Sequence, residues 1–137
     1  MLNYMFLVDP RPDQIRQITM LYRMAGWWTD EDDDPDLVTR IIVGSHCFMI
    51  VSKGDEIIAM GRAISDKASD VYIQDVMVNS AYQGRGIGSR IIRELVARLH
   101  NDGLNWIGLI AERGSHGFYE RLGFKMMTDS EPMLMKS

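Results

Sequence analysis

The sequence predicts an α+β fold: a mixed, largely antiparallel central sheet with one βαβ crossover and helices on both faces. Three observations predict it. The β-rich runs "HCFMIVSK", "EIIAMGRAIS" and "DVYIQDVMV" follow one another through short turn signals, as hairpin-linked strands do. A long run with a wide apolar stripe then separates the last of them from another apolar run, "NWIGLIA", and a strand–helix–strand passage of this kind joins parallel neighbours. Helical patterns also precede the hairpins, so helices are available for both faces of the sheet.

Each element can be justified in order. Asn3 to Val8 reads as a short strand ended by "DPRP". Asp13 is a candidate cap for a helix whose apolar set is Ile15, Ile18, Leu21, Tyr22 and Ala25, close to helical spacing, with Gly26 as its stop. "WWTDEDDDPD" is a loop, and Pro35 suits the start of a second helix through Leu37, Val38, Ile41 and Ile42, ended by Gly44. The first two β-rich runs are joined by "GD", and "SDKASD" turns the chain into the third. After the loop "NSAYQGRGIG", Ile87, Ile91, Ile92, Leu95, Val96 and Leu99 form one apolar stripe, with Arg90, Glu94 and Arg98 opposite and "NDG" as the end. "GSHGFYERLGF" reads as a short helix with a glycine stop, and "KMMT" and "PMLMK" as two last strands. The 137 residues have the length of one ordinary domain, so residues 1–137 are read as a single one.

Composition excludes several classes. No apolar run approaches a membrane span, and the start "MLNYMFLVDPRP" lacks the basic n-region and cleavage site of a signal peptide. The lone cysteine, Cys47, rules out an internal disulfide and a multi-cysteine zinc site, so no metal is expected, and its neighbours read as a buried strand. A reducing cytoplasm is the expected compartment. The net charge of −4 is uneven: six of the nineteen acids lie in "TDEDDDPD", leaving thirteen acids against fifteen Lys and Arg elsewhere. That excess is too small to argue for nucleic acid.

The chemistry concentrates in "QGRGIG". Gly84, Gly86 and Gly88 alternate where a β-rich run meets a long helix. A glycine-rich turn into a helix puts bare backbone N–H groups at the positive end of the helix dipole, which is a phosphate or pyrophosphate site. Ser89 adds a hydroxyl in the first turn. No Gly-Lys-Ser/Thr follows, so this is not a Walker loop, and the spacing is not the G-x-G-x-x-G of dinucleotide folds.

"DVMVNSAYQGRGIGSRIIREL" resembles the acetyl-CoA-binding motif of the GNAT superfamily of N-acetyltransferases, Gln/Arg-x-x-Gly-x-Gly/Ala, through Gln83, Gly86 and Gly88. "FYERLGF", Phe118 to Phe124, is similar to the second hallmark of that family, and the order of elements matches throughout. "AGWW", "IQDVMV" and "GFY" are similar to the arylalkylamine and serotonin N-acetyltransferase-like subgroup.

The resemblance implies the acyl-CoA N-acyltransferase fold and direct acetyl transfer from acetyl-CoA to an amine. It implies that backbone N–H groups of Gln83, Gly84, Arg85, Gly86, Ile87, Gly88 and Ser89 grip the pyrophosphate, and that Val76, Met77 and Val78 pair with the pantetheine arm where their strand splays from the next. It puts Tyr119 at the general-acid position, protonating the departing thiolate. A phenol is still protonated at neutral pH, as that role requires. Asp75 interrupts an apolar strand, where aspartate is depleted; it either serves the incoming amine or makes a structural hydrogen bond. His46 and His116 are further candidates. The family often carries Asn seven residues before the tyrosine, where this chain has Glu112. The segment between the first two helices walls the acceptor site in this family, which makes Trp27, Trp28 and the acids around them candidates for binding a cationic amine. The acceptor is a small-molecule or protein amine, and a homodimer is common in the family. An acyl-CoA-binding module without catalysis is the alternative.

Overall fold

The computed structural model describes residues 1–29 and 34–136. A five-stranded sheet runs in the order β1 (Leu2–Phe6), β2 (Cys47–Lys53), β3 (Glu56–Ser65), β4 (Asp70–Val78) and β5 (Trp106–Gly108). The first three pairings are antiparallel and β4–β5 is parallel, which is the mixed sheet with a crossover that the sequence predicts. The helices are α1 (Pro12–Met24), α2 (Pro35–Gly44), α3 (Ile87–Asn101) and α4 (His116–Glu120), with a 3₁₀ turn at Ser80–Tyr82.

The sheet has a core on each face because its central strands alternate side chains between the two. Phe48, Ile50 and Met60 pack with Ile18, Leu21 and Tyr22 of α1 and Val38 and Ile42 of α2. Met49, Val51 and Ile58 pack with Ile87, Ile91, Leu95 and Leu99 of α3. Cys47 to Val51 are all buried, as a strand covered on both sides must be. Burial also pushes the Cys47 thiol up to about 11.

Helix starts follow local chemistry. Asp34 caps α2, its Oδ1 accepting from Asp36 N at 3.0 Å. The expected cap at Asp13 is corrected: the helix begins at Pro12, the cap position is Arg11, and Arg11 N donates to Gln14 Oε1 at 2.9 Å. Proline at the first helical position is the signal that marks this start. Asp13 lies in the first turn and pairs with Arg11 at 3.0 Å.

β3 carries a glycine where α3 comes closest. A Cβ on Gly61 would lie 2.7 Å from Ile91 Cγ2, a branch fixed next to the helix backbone. Gly61 is therefore a contact surface for α3.

Two expectations fail at the C-terminal end. β5 stops at Gly108, so "NWIGLIA" contributes three strand residues. The strands expected at "KMMT" and "PMLMK" do not form: residues 124–136 carry neither helix nor strand, only a turn at Thr128 and Asp129. A lone two-stranded ribbon is marginal in water, and a three-residue β5 offers little edge to build on.

Gly61→Ala should overpack the α3 contact and lower unfolding free energy by about 1–3 kcal/mol. Urea titration followed by circular dichroism measures it, and an unchanged midpoint would show that α3 yields freely.

Candidate active site

The site is built on the far end of β4. β4 pairs with β5 only over Asp70–Tyr72 against Trp106–Gly108, so beyond Tyr72 its β5-facing backbone edge has no strand beside it among the described residues. On its other side β4 stays paired with β3 through Met77 and Val78, and the ladder shifts register between Met60 and Arg62. Asp75 sits at this bulge with φ of 57°, a left-handed conformation uncommon for a residue with a side chain.

Opposed charges hold the bulge. Arg62 Nε and the Tyr22 hydroxyl both donate to Asp75 Oδ2, at 2.6 and 2.7 Å. Arg62 Nη1 also donates to Ser45 Oγ at 3.3 Å. Burial, reinforced by the Asp75 carboxylate, pushes the Tyr22 phenol well above its usual range, so it remains a donor. Trp28 lies flat on the Tyr22 ring, 4.1 Å between centroids and 7° between planes, and Trp27 is tilted 6.0 Å away. Neither Tyr22, read above only as an apolar helix position, nor Arg62 is among the candidate site residues. The signal was a charged residue inside each of two adjacent β-rich runs, Arg62 in one and Asp75 in the other, because buried charges come in pairs.

From Val78 the chain enters the glycine loop. Gly84 and Gly86 both have φ of 78°, and Gly86 occupies the cap position of α3 without a side-chain cap. The first amide bonded within this turn is Arg90 N, to Gly86 O at 3.1 Å, so the N–H groups of Ile87, Gly88 and Ser89 lack helical acceptors. Gly88 differs from these two: its φ is not left-handed, and a Cβ there would meet Phe118 Cζ at 3.5 Å and Val78 Cγ2 at 3.7 Å, ordinary contact distances. Gln83 Nε2 donates back to Val78 O at 3.1 Å, closing the loop onto the strand it left.

These parts enclose a cleft of about 440 Å³ lined by Val76, Met77, Val78, Gln83, Gly84, Gly86, Ile87, Gly88 and Ser89. Tyr119 and Phe118 of α4 form its other wall, with Tyr82 beside the loop. Phe118 and Phe124 meet the Tyr119 ring edge-on at 4.9 and 5.9 Å. Burial, and then the negative charge of Glu112, push the Tyr119 phenol above its usual range. No hydrogen bond ties off its hydroxyl among the described residues.

The remaining candidates lie elsewhere. Arg85 is not in the cleft wall; its guanidinium lies over the Tyr82 ring at 5.3 Å. Asp75 is behind the cleft, on the α1 side with Tyr22. Trp27 and Trp28 pack against the α1–α2 core. His46 Nε2 donates to Asp102 Oδ2 at 2.8 Å, and His116 is exposed at the start of α4. Asp34 pairs with Arg40 at 3.1 Å, while Asp30, Glu31, Asp32 and Asp33 fall outside the described residues. No cluster of His, Cys, Asp or Glu among the described residues could hold a metal ion.

Arg62→Met should leave the Asp75 carboxylate half-buried without its cation and cost about 1–3 kcal/mol. Adding Asp75→Asn should recover part of that loss in urea unfolding. Simple additivity of the two losses would show that the pair is not coupled.

Comparison with known proteins places this geometry. The family model described as "Acetyltransferase (GNAT) family" matches residues 12–124. A protein from Arabidopsis thaliana named GCN5-related N-acetyltransferase 2, chloroplastic, is 39% identical over 70 residues, 51% of this chain and 27% of that one. Serotonin N-acetyltransferase 2, chloroplastic, from Oryza sativa subsp. japonica is 38% identical over 73 residues, 53% of this chain and 36% of its own. The match thus spans roughly a third of these curated plant relatives. A solved GNAT family acetyltransferase from Streptococcus pneumoniae superposes with a TM-score of 0.79 at 25% identity, over 100% of this chain and 98% of that one.

Proposed function

The chain belongs to the GNAT acetyltransferase family, and from that premise we propose that it transfers an acetyl group directly from acetyl-CoA to a primary amine, with Tyr119 as general acid. The observation that carries this reading is one cleft lined by both a bare helix start and a tyrosine whose phenol burial keeps protonated. The residues present fit the donor. Ile87, Gly88 and Ser89 offer unpaired N–H groups to a pyrophosphate, and the left-handed Gly84 and Gly86 keep side chains out of its way. The open edge of β4 at Val76, Met77 and Val78 suits an amide-bearing arm laid alongside it as an added strand.

Acetyl-CoA supplies an activated thioester, whose acetyl carbon the amine attacks. The protein's part is to hold the two reactants and to manage protons. The new bond is nitrogen to acetyl carbon, the bond broken is acetyl carbon to sulfur, and the sulfur leaves with the electron pair. Tyr119 would give its phenolic proton to that sulfur, and the proton that the nitrogen sheds on becoming an amide leaves to solvent, from which the Tyr119 oxygen is reprotonated. Burial and Glu112 keep the phenol protonated over the working range, so the donor is loaded before each turnover. Asp75 serves the acceptor side: Oδ2 is committed to Arg62 and Tyr22, and Oδ1 has no side-chain donor among the described residues, so it can orient the incoming amine. Trp27 and Trp28, held by Tyr22, would line the apolar part of the acceptor. An aromatic or aliphatic small amine suits that surface, and the serotonin N-acetyltransferase name of one relative points the same way.

At about 100 times its Kd, a ligand of the folded state stabilises by about 2.7 kcal/mol, so acetyl-CoA should raise Tm while NAD and ATP should not. A shift with NAD or ATP and none with acetyl-CoA would overturn the donor assignment. Thiol release over a panel of amines tests turnover, and binding without turnover would leave only a CoA-binding module.

Tyr119→Phe should lower kcat by about 100-fold and leave the acetyl-CoA Tm shift in place. The wild-type phenol is active when protonated and its pKa is raised, so kcat should hold through neutral pH and fall only above the ordinary phenol value of about 10. Unchanged kcat in the variant would remove Tyr119 from the acid role.

A further inference from the structure

We propose that Arg113 sets the acceptor specificity: the amine carries an acidic group, and the Arg113 guanidinium binds it. The inference deepens the acetyl-transfer reading and rests on it. It starts from a turn. Ser115 N donates to Glu112 O at 3.0 Å, and both residues between them are left-handed, Arg113 with φ of 55° and Gly114 with φ of 74°. Left-handed φ at both central positions is a primed turn, whose first central residue is by preference Gly, Asn or Asp. Arginine is strained there, because its Cβ crowds the following carbonyl. Strain of this kind persists at sites where the side chain serves a function.

The turn carries the side chain to the acceptor wall. Arg113 Nη2 donates to Ala25 O at 3.4 Å, and it lies 3.9 Å from where a Cβ on Gly26 would stand. Ala25 is the C-cap of α1, one helical turn past Tyr22 and two residues before Trp27. The guanidinium is thus held beside the aromatic pair assigned to the acceptor, while Tyr22 reaches Asp75 from the same helix end. The hook to Ala25 is a small structural gain for a strained residue. Its length is beyond the usual range of an N–H···O bond, and it uses one of five guanidinium donors.

The charges on this side are unequal. Arg62 matches Asp75 at 2.6 Å. Arg113 has no carboxylate within ion-pair distance among the described residues, its neighbour Glu112 included. The charge this wall lacks is therefore negative, and the incoming amine is the group that can bring it. A guanidinium is suited to the task, because its planar fork meets a carboxylate or phosphate through two N–H groups at once. The acidic group takes no part in making or breaking bonds. It anchors the acceptor at one end, with the aromatic pair along its body and the amine left for the thioester.

Thiol release over amine pairs that differ in one acidic group tests this: tryptophan against tryptamine, 5-aminopentanoate against pentylamine, and phosphoethanolamine against ethanolamine. The first two pairs read a carboxylate and the third a phosphate. In at least one pair kcat/KM should favour the acidic member by about 10–100-fold, the range of a charge-assisted contact. Arg113→Asn suits the turn, so it should hold or raise Tm and keep the acetyl-CoA shift. It should abolish the preference through the KM of the acidic member, and Arg113→Lys should retain part of it. A plain amine preferred in every pair overturns the proposal, as does a preference that survives Arg113→Asn, whatever its Tm. Should no amine be turned over, the acetyl-transfer reading fails, and calorimetric titration of the same pairs into the CoA-bound protein decides the Arg113 site. Binding of an acidic member that Arg113→Asn abolishes supports it. Absent binding, or equal binding within every pair, overturns it.

Discussion

The bend in β4 at Asp75 is the constraint from which the rest of the site follows. A straight β4 would keep its outer edge parallel to its neighbour and leave no gap. The bulge instead turns the strand end away just where the β5 pairing has already stopped. Aspartate in a left-handed conformation costs energy, and something must hold it. Arg62 and Tyr22 do so by converging on one carboxylate oxygen from the adjacent strand and from α1. The same tyrosine carries Trp28 on its face, so the aromatic wall near the α1–α2 loop and the shape of the donor strand are set by one small network. Gly61 contributes from the other face by letting α3 approach β3 beside the register shift.

The loop after β4 turns that bend into a binding surface. Its alternate glycines do not share one task. Gly84 and Gly86 are bare because the backbone turns through left-handed φ values there, whereas Gly88, inside the first helical turn, packs against Phe118 and Val78 at ordinary contact distances. The first pair shapes the turn into α3, and the third lines the same cleft as Phe118 and Tyr119 of α4.

Most of this fold was legible because its signals are strong and local. The β2–β3–β4 hairpins, the α3 stripe and the Pro35 helix start follow from alternation, period and proline placement, and they stand where those rules put them. The cleft-lining stretch from Val76 to Ser89 was readable from two motifs. What escaped has a common cause, in that it depends on partners distant in sequence. Tyr22 looked like one more apolar position on α1 until Asp75, 53 residues away, appeared beside its hydroxyl. Arg85 belongs to the loop by sequence, yet its charge goes to the Tyr82 ring. The apolar runs "KMMT" and "PMLMK" predicted strands that do not form, because a strand also needs an edge and β5 is three residues long.

The buried thiol has a consequence for the proposed thioester chemistry. Thiolates exchange with thioesters readily, so an accessible cysteine beside an acyl-CoA would be acylated in place of the amine. Cys47 sits inside a strand covered on both faces, and burial pushes its thiol up to about 11, so the unreactive thiol form dominates at neutral pH. Burial therefore withholds the chain's one cysteine from the proposed thioester substrate. It also lets reporters be attached at an introduced surface cysteine, because the native one will not compete for them.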